Sequence, residues 1–415
     1  MKQRVFITGV GLISFLGDSP ALFHKKLCDG NKGMGRVTEF EEQGFASQPG
    51  GKVEAFLPEV FLKSKALRPL DRSGRLLASA AKLTLENSNW TSQDLAVRDV
   101  GLVLGTMFGS MHTISQFDRQ ALGGGPSCAS PLDFANTVIN SAAGQTAIWH
   151  KLRGINSTIA TGATSGLMAI GYATDLIQSG RQTAVLAGGT DEFCFEAFCG
   201  LARAGLLCGP DSTAGCSVPF EKRRTGIALA EASALLMLES AESAQTRGAV
   251  ILGEVLGHSN AYNPRWKQAA HEADAVIRSM RGALEDARLS PQEVDCISAA
   301  ANGSIPGDRN EALAIKAVFN GHGEKVLITA IKSMIGETLG AGGALQAIDL
   351  LETMRDHAVP GIAHLKNVEP EFASLNFCRK PEFIDTRIGL INAVGFDGHA
   401  CSLLLSGPPA WGNLV

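Results

Sequence analysis

Short apolar stretches of strand length alternate along this chain with longer stretches of helical period. Strands are expected at 5–8, 100–106, 157–160 and 184–189, each running into glycines or a polar turn. Residues 232–239 (ASALLMLE) are apolar almost throughout, as central strands covered on both faces are. Residues 67–88 predict a helix with Leu76, Leu77, Ala80 and Leu83 turned inward. Past Gly248 the rhythm restarts. Strands are expected at 251–257, 294–299, 326–330, 389–394 and 400–405, with helices at 268–288, 310–319 and 340–355. Strands interleaved with helices predict βα units on mixed or parallel sheets. The halves share a central motif of strand, glycine turn and helix, at 161–166 and at 332–343. Two sheets, each covered by helices, with the central helices between them, is the economical architecture. No low-complexity linker divides the halves, so they are expected to share one core.

The most informative stretch is 155–180 (INSTIATGATSGLMAIGYATDLIQSG). A strand hands over to a helix through Thr161-Gly162-Ala163-Thr164-Ser165-Gly166. Such an elbow suits a nucleophile. The turn holds the side chain, and the helix N-terminus points partial positive charge at it, which lowers a thiol's pKa. The residue at the tip is Ala163, whose methyl group cannot attack anything.

Composition narrows the alternatives. The 415 residues carry a formal net charge of -4 and 45% hydrophobic positions, an ordinary globular balance with no basic face for nucleic acid. No apolar run reaches the roughly 18 residues of a membrane span. Nine cysteines lie scattered without metal-site or CxxC spacing, so reduced thiols in a cytoplasmic protein are expected. Met1-Lys2-Gln3-Arg4 leads straight into the first strand, and no signal peptide is expected. The run Val5 to Gly11 has two glycines of a dinucleotide fingerprint, but Ser14 stands where the third belongs. No cofactor is expected, and the scattered histidines predict no metal site.

Six stretches together resemble the β-ketoacyl synthases of the thiolase fold, over essentially the whole chain. They are the opening strand, Val5 to Gly11; the elbow, Gly154 to Gly166; Val218-Pro219-Phe220-Glu221 through Glu239 and 241–249; Val294-Asp295 to Gly307-Asp308; Ile331-Lys332-Ser333-Met334-Ile335-Gly336; and the closing turn, Asn392 to Phe396. The resemblance implies an α/β fold of two pseudo-duplicated βα halves in a five-layered α-β-α-β-α core. The halves would be 1–249, with interface and cap insertions, and 250–415.

In that family an elbow Cys carries the acyl chain and two histidines assist decarboxylation and condensation. Here those positions hold Ala163, Ala300 and Glu337, and only Lys332 of the set remains. Loss of the nucleophile and both oxyanion donors removes terms worth several kcal/mol each, so no catalytic residue is expected. The pattern is similar to that of chain length factors, the silent subunits of type II polyketide or polyene synthases. The resemblance then implies an active ketosynthase α-subunit as partner, and acyl carrier protein as a partner directly or through it. It implies tunnel-gating residues Met111, Ile114 and Asp118 on one helix face, and a dimer interface at Phe134, Asn136 and Thr137. Many such subunits carry Gln at the elbow, and Ala163 departs from that. The rival expectation is a stand-alone acyltransferase, decarboxylase or hydrolase of the same fold using other groups. Ser165, Thr164 and His399 are its nearest candidates, although no arrangement of the three is evident from sequence. Gln346 replaces the acidic partner of the family lysine, so Lys332 is expected to pair with Glu337 instead.

Overall fold

The computed structural model describes residues 2–31, 33–46, 48–64, 67–209, 217–265, 268 and 272–409. Ten strands carry the fold: β1 (Val5–Ser14), β2 (Gly101–Gly105), β3 (Asn156–Ile159), β4 (Ala184–Asp191), β5 (Ala232–Ser240), β6 (Gly253–Tyr262), β7 (Cys296–Ser298), β8 (Leu327–Thr329), β9 (Ile388–Val394) and β10 (His399–Ser406). The principal helices are α1 (Pro20–Cys28), α2 (Arg72–Asn87), α3 (Met111–Gly124), α4 (Ser141–His150), α5 (Ser165–Gln178), α6 (Phe195–Arg203), α7 (Asp274–Ala287), α8 (Ile305–Val318) and α9 (Gly342–Asp356).

The duplication is explicit in the strand order. The first half runs β1-β5-β4-β2-β3 and the second β6-β10-β9-β7-β8. In each, the first two pairings are antiparallel and the last two parallel. The halves are not separate sheets, as the sequence suggested. Val5, Phe6 and Ile7 of β1 pair antiparallel with Val255, Glu254 and Gly253 of β6, joining all ten strands into one sheet. The sheet folds around α5 and α9, which pack against each other and against strands of both halves. Helices α2 and α4 cover the outer face of the first half, and α7 with α8 beside it covers the second. The result is the five-layered, thiolase-like arrangement, and one apolar cluster draws on both halves, from Val5 and Leu167 to Leu345 and Leu403.

Local chemistry explains where elements begin. The expected helix 67–88 starts at Arg72, because Asp71 caps it by accepting from Gly74 N–H at 2.8 Å. Ser304 caps α8 five residues before the expected start at 310, with Pro306 in the first turn. The helix expected at 268–288 begins at Asp274, and residues 269–271 lie outside the described residues. Gly9 and Gly11 do not form a turn. Both lie inside β1, where a Cβ would strike Ser88 and Thr84 of the covering helix region.

The closest backbone approach is at the centre. A Cβ on Gly189 would sit 1.9 Å from the Gly340 carbonyl oxygen, and one on Gly166 would sit 2.1 Å from the same atom. Gly189→Ala is therefore expected to lose on the order of 3 kcal/mol in urea unfolding. Gly144→Ala, in α4 with no heavy atom within 4 Å of the added carbon, is expected to gain about 0.5–1 kcal/mol. Equal shifts in the two variants would show that the close approach is not what requires glycine at 189.

Candidate functional site

The elbow forms as its sequence predicts. Strand β3 ends at Ile159, Gly162 takes φ 65, and the turn Gly162–Thr164 leads into α5. Ala163 at the tip is buried. The neighbouring hydroxyls are spent on backbone. Ser165 Oγ donates to Gly162 O (2.6 Å) or Thr106 O (3.0 Å) and accepts from Thr161 N–H at 2.8 Å. Thr164 Oγ1 donates to Thr161 O at 2.7 Å. His399 is occupied by Asp397 (3.0 Å) and rests against the Tyr262 ring. No described contact joins these three groups into a nucleophile and base.

The matching elbow of the second half follows β8. The turn Leu339–Ala341 packs against Gly162–Thr164. Here Lys332 and Glu337, both buried, form the expected ion pair, Nζ to Oε2 at 2.8 Å. Asn302 Nδ2 donates to the same oxygen at 2.6 Å, and Leu339 N–H donates to Oε1 at 2.9 Å. That last bond holds Leu339 at φ 53, a left-handed conformation that costs a branched residue energy. The backbone of Glu337 is tied to a neighbouring strand through Ala228 O and Ala230 N–H. The carboxylate thus satisfies three donors that are buried away from bulk solvent. Gln346 does not reach the lysine. Its Nε2 donates to the carbonyls of Ser298, Ala299 and Asn392 instead.

Ala300 lies on the loop between β7 and α8, and two carboxylates of α8 hold that loop. Glu311 accepts from Ala300 N–H (2.9 Å), Ala301 N–H (2.8 Å) and Asn392 Nδ2 (2.9 Å). Asp308 accepts from the N–H groups of Asn302, Gly303 and Phe220, with Arg224 Nε at 3.3 Å. They sit three residues apart and so share a helix face. Burial pushes Glu311 up to about 7 and Asp308 up to about 6. A third carboxylate, Asp191 at the end of β4, gathers Thr106 Oγ1, Met107 N–H, Phe108 N–H and Gly340 N–H, and burial raises it to about 6. The space beside Ala300, lined also by Glu311, Gly395 and Phe396, is about 20 Å³. That is room for about one water.

The other expected residues lie beyond this centre. Met111 packs with Phe108, Phe195 and Phe396 against the aromatic cluster of Phe40, Phe193 and Phe198, which also contains Leu339. Ile114 is half-buried and Asp118 exposed. Phe134 is exposed and its ring meets that of Phe117 at a tilt, with centroids 5.9 Å apart, and Thr137 turns its hydroxyl to Phe134 O. Asn136 differs from its companions. It is buried and donates to Pro69 O at 3.0 Å, so it anchors the segment to its own chain. Among the described residues no group of His, Cys, Asp and Glu is disposed to hold a metal, and no helix is long and apolar enough to cross a membrane.

Residues 2–244 match the model of the β-ketoacyl synthase N-terminal domain, and residues 249–366 that of the C-terminal domain. The chain belongs to the β-ketoacyl synthase family. Among curated relatives, the 3-oxoacyl-[acyl-carrier-protein] synthase 2 of Coxiella burnetii is 32% identical over 98% of this chain and 99% of its own. That of Synechocystis is 30% identical, over 97% of each. Among solved structures, the ishigamide ketosynthase/chain length factor superposes with a TM-score of 0.90 at 30% identity, covering 99% of this chain and 100% of its own. A β-ketoacyl synthase from Burkholderia phymatum also reaches 0.90, at 26% identity, covering 98% and 100%.

The buried pair generates a test. Lys332→Met alone leaves Glu337 charged and unmatched, and is expected to cost about 3–5 kcal/mol in chemical unfolding. Lys332→Met with Glu337→Leu removes both charges and is expected to recover most of that loss. A double variant no more stable than the single one would mean that the pair is not coupled.

Proposed function

We propose that this chain is a non-catalytic subunit of the chain length factor kind, which pairs with an active ketosynthase and shapes the cavity in which the partner extends an acyl chain. The observation that carries the reading is the occupancy of the centre. Ala163 has no nucleophilic atom, Ala300 has no donor side chain, and Glu337 is consumed by Lys332, Asn302 and Leu339 N–H. Condensation by a covalent route needs a thiolate and donors aimed at the oxyanion, and neither is available here.

The surface supports a partner. Leu122, Leu132, Phe134, Val138, Ile139 and Ile148 are between 43% and 87% exposed along one continuous segment. None of the fourteen residues of α3 is fully buried. A contiguous apolar face of this kind is the usual mark of an interface. Strand β3 adjoins this segment, with the Asn156 side chain donating to Ala143 O of α4. Its equivalent at the far end of the sheet, β8, is covered by 376–378 through Ile328 N–H to Asn376 O and Cys378 N–H to Ile328 O. No described backbone covers β3 in that way, and such an edge invites a strand from elsewhere. Of the solved relatives, one is described as a ketosynthase/chain length factor and another as a type II PKS acyl-carrier protein in complex with its ketosynthase. The two curated relatives named above are synthases at 32% and 30% identity, which keeps catalysis by this chain as the outcome to test against.

Incubated alone with acyl- and malonyl-carrier protein, the purified chain is expected to take up no acyl group by intact mass spectrometry. Acylation without a companion would overturn the proposal. Co-expressed with a Cys-containing ketosynthase, it is expected to co-purify one to one, and Phe134→Asp with Ile148→Asp to weaken that pairing by at least about tenfold. Met111→Ala is expected to lengthen the partner's products, read by mass spectrometry of the released chains; an unchanged length would remove Met111 from the gate.

A further inference from the structure

One group of side chains, away from the degenerate centre and unused by the proposed function, has the connectivity of an activated nucleophile. Cys28 and His24 lie one turn apart on α1, so they share a face. Cys28 Sγ lies 3.5 Å from His24 Nε2. The other ring nitrogen, Nδ1, lies 2.8 Å from Asp349 Oδ1 on the central helix α9. His24 and Asp349 are both buried, while Cys28 is partly exposed at the end of its helix, next to exposed Asp29 and Gly30. A buried carboxylate orients the ring, and the ring in turn addresses a reachable sulfur. This is one of the arrangements by which a neighbouring imidazole activates a thiol.

The charges around the ring favour its protonated form. Asp349 faces it directly, and Glu352 and Asp356 act on it from the same helix, both also bound to Arg355. Burial alone would lower His24, but its hydrogen bonds to Asp349 and Cys28 outweigh this and raise it to about 10. An imidazolium donates through both nitrogens, so the sulfur 3.5 Å from Nε2 stands as its acceptor. Cys28 sits at the C-terminal end of α1, where the helix dipole opposes a negative sulfur, and the ring nitrogen 3.5 Å away acts in the opposite direction. The thiols sensed from nearby are Cys378, with Cys296 behind it. Burial raises both, and Cys378 Sγ is already committed to Lys380 O at 3.1 Å.

We propose that Cys28, held by His24 and Asp349, is a reactive thiol that small peroxides oxidise to sulfenic acid. In that step the thiolate sulfur attacks one peroxide oxygen, an S–O bond forms, and the O–O bond breaks. The leaving hydroxide takes the proton from His24 and departs as water. Sulfur is oxidised by two electrons, the peroxide is reduced by the same two, and the ring is left neutral against Asp349.

The test uses the full-length chain. Thiol labelling with iodoacetamide at about pH 6, followed by peptide mass spectrometry, compares Cys28 with Cys128 and Cys199. Ordinary thiols are almost wholly protonated there, so Cys28 is expected to label at least about tenfold faster. After brief exposure to hydrogen peroxide, dimedone is expected to add at Cys28 and not at the other two. His24→Gln and Asp349→Asn are each expected to remove the advantage at about pH 6 and to restore the steep pH dependence of a free thiol. Labelling of Cys28 no faster than Cys128 in the unaltered chain would overturn the proposal without any variant. An advantage that survived His24→Gln would overturn the role given to the ring. Should that variant fail to fold, Asp349→Asn and the pH profile of the unaltered chain decide the same point.

Discussion

One backbone carbonyl sets the terms for the rest of the molecule. The oxygen of Gly340 lies against both Gly166 and Gly189, so the two central turns meet with no side chain between them. Asp191 fixes the junction from the other side by accepting Gly340 N–H along with three donors from the 106–108 loop. Because each turn is also the start of a central helix, this contact brings two helix N-termini and the loop ends of both half-sheets to one point. A site at that point follows from packing before any chemistry is chosen. Conversely, the backbone there cannot drift without separating the halves, whatever the side chains do.

What remains at the point is a set of carboxylates used as fasteners. Asp191, Asp308 and Glu311 each collect two or three N–H donors from irregular backbone, and Glu337 collects one, from Leu339. Burying a carboxylate is costly, and that cost is visible in the raised values of Asp191, Asp308 and Glu311. Several hydrogen bonds to each group offset it. Glu337 differs in having a full cationic partner in Lys332. The centre is therefore a well-satisfied polar core. Its residues account for the persistence of the walls, and Ala163 and Ala300 place neither a nucleophile nor a donor side chain within them.

Much of this was readable from the chain. The elbow and the alternation of strands and helices are local, and period and turn chemistry reveal them. The Lys332–Glu337 pair was legible because a lysine in an apolar setting needs a partner and the other acidic position holds Gln346. The joining of β1 to β6 was not legible, since it pairs segments about 250 residues apart through ordinary strand edges. Gly9 and Gly11 read as a turn because glycine serves both turns and close helix packing, and only the neighbouring helix distinguishes them. The resemblance placed Asn136 at an interface, and nothing in its sequence neighbourhood announced that its amide donates to Pro69 O of its own chain. The roles of Glu311 and Asp308 left only a faint trace, two acids three apart behind a Ser-Ile-Pro helix start.

The unlike ends of the long sheet carry a last consequence. Segment 376–378 closes the outer side of β8, whereas β3 ends the series without such a cover among the described residues. Growth strand by strand into a fibre requires two adhesive ends. A sheet with one end sealed can add at most a single neighbour at its open edge, so edge-to-edge growth into a fibre has no second end to proceed from.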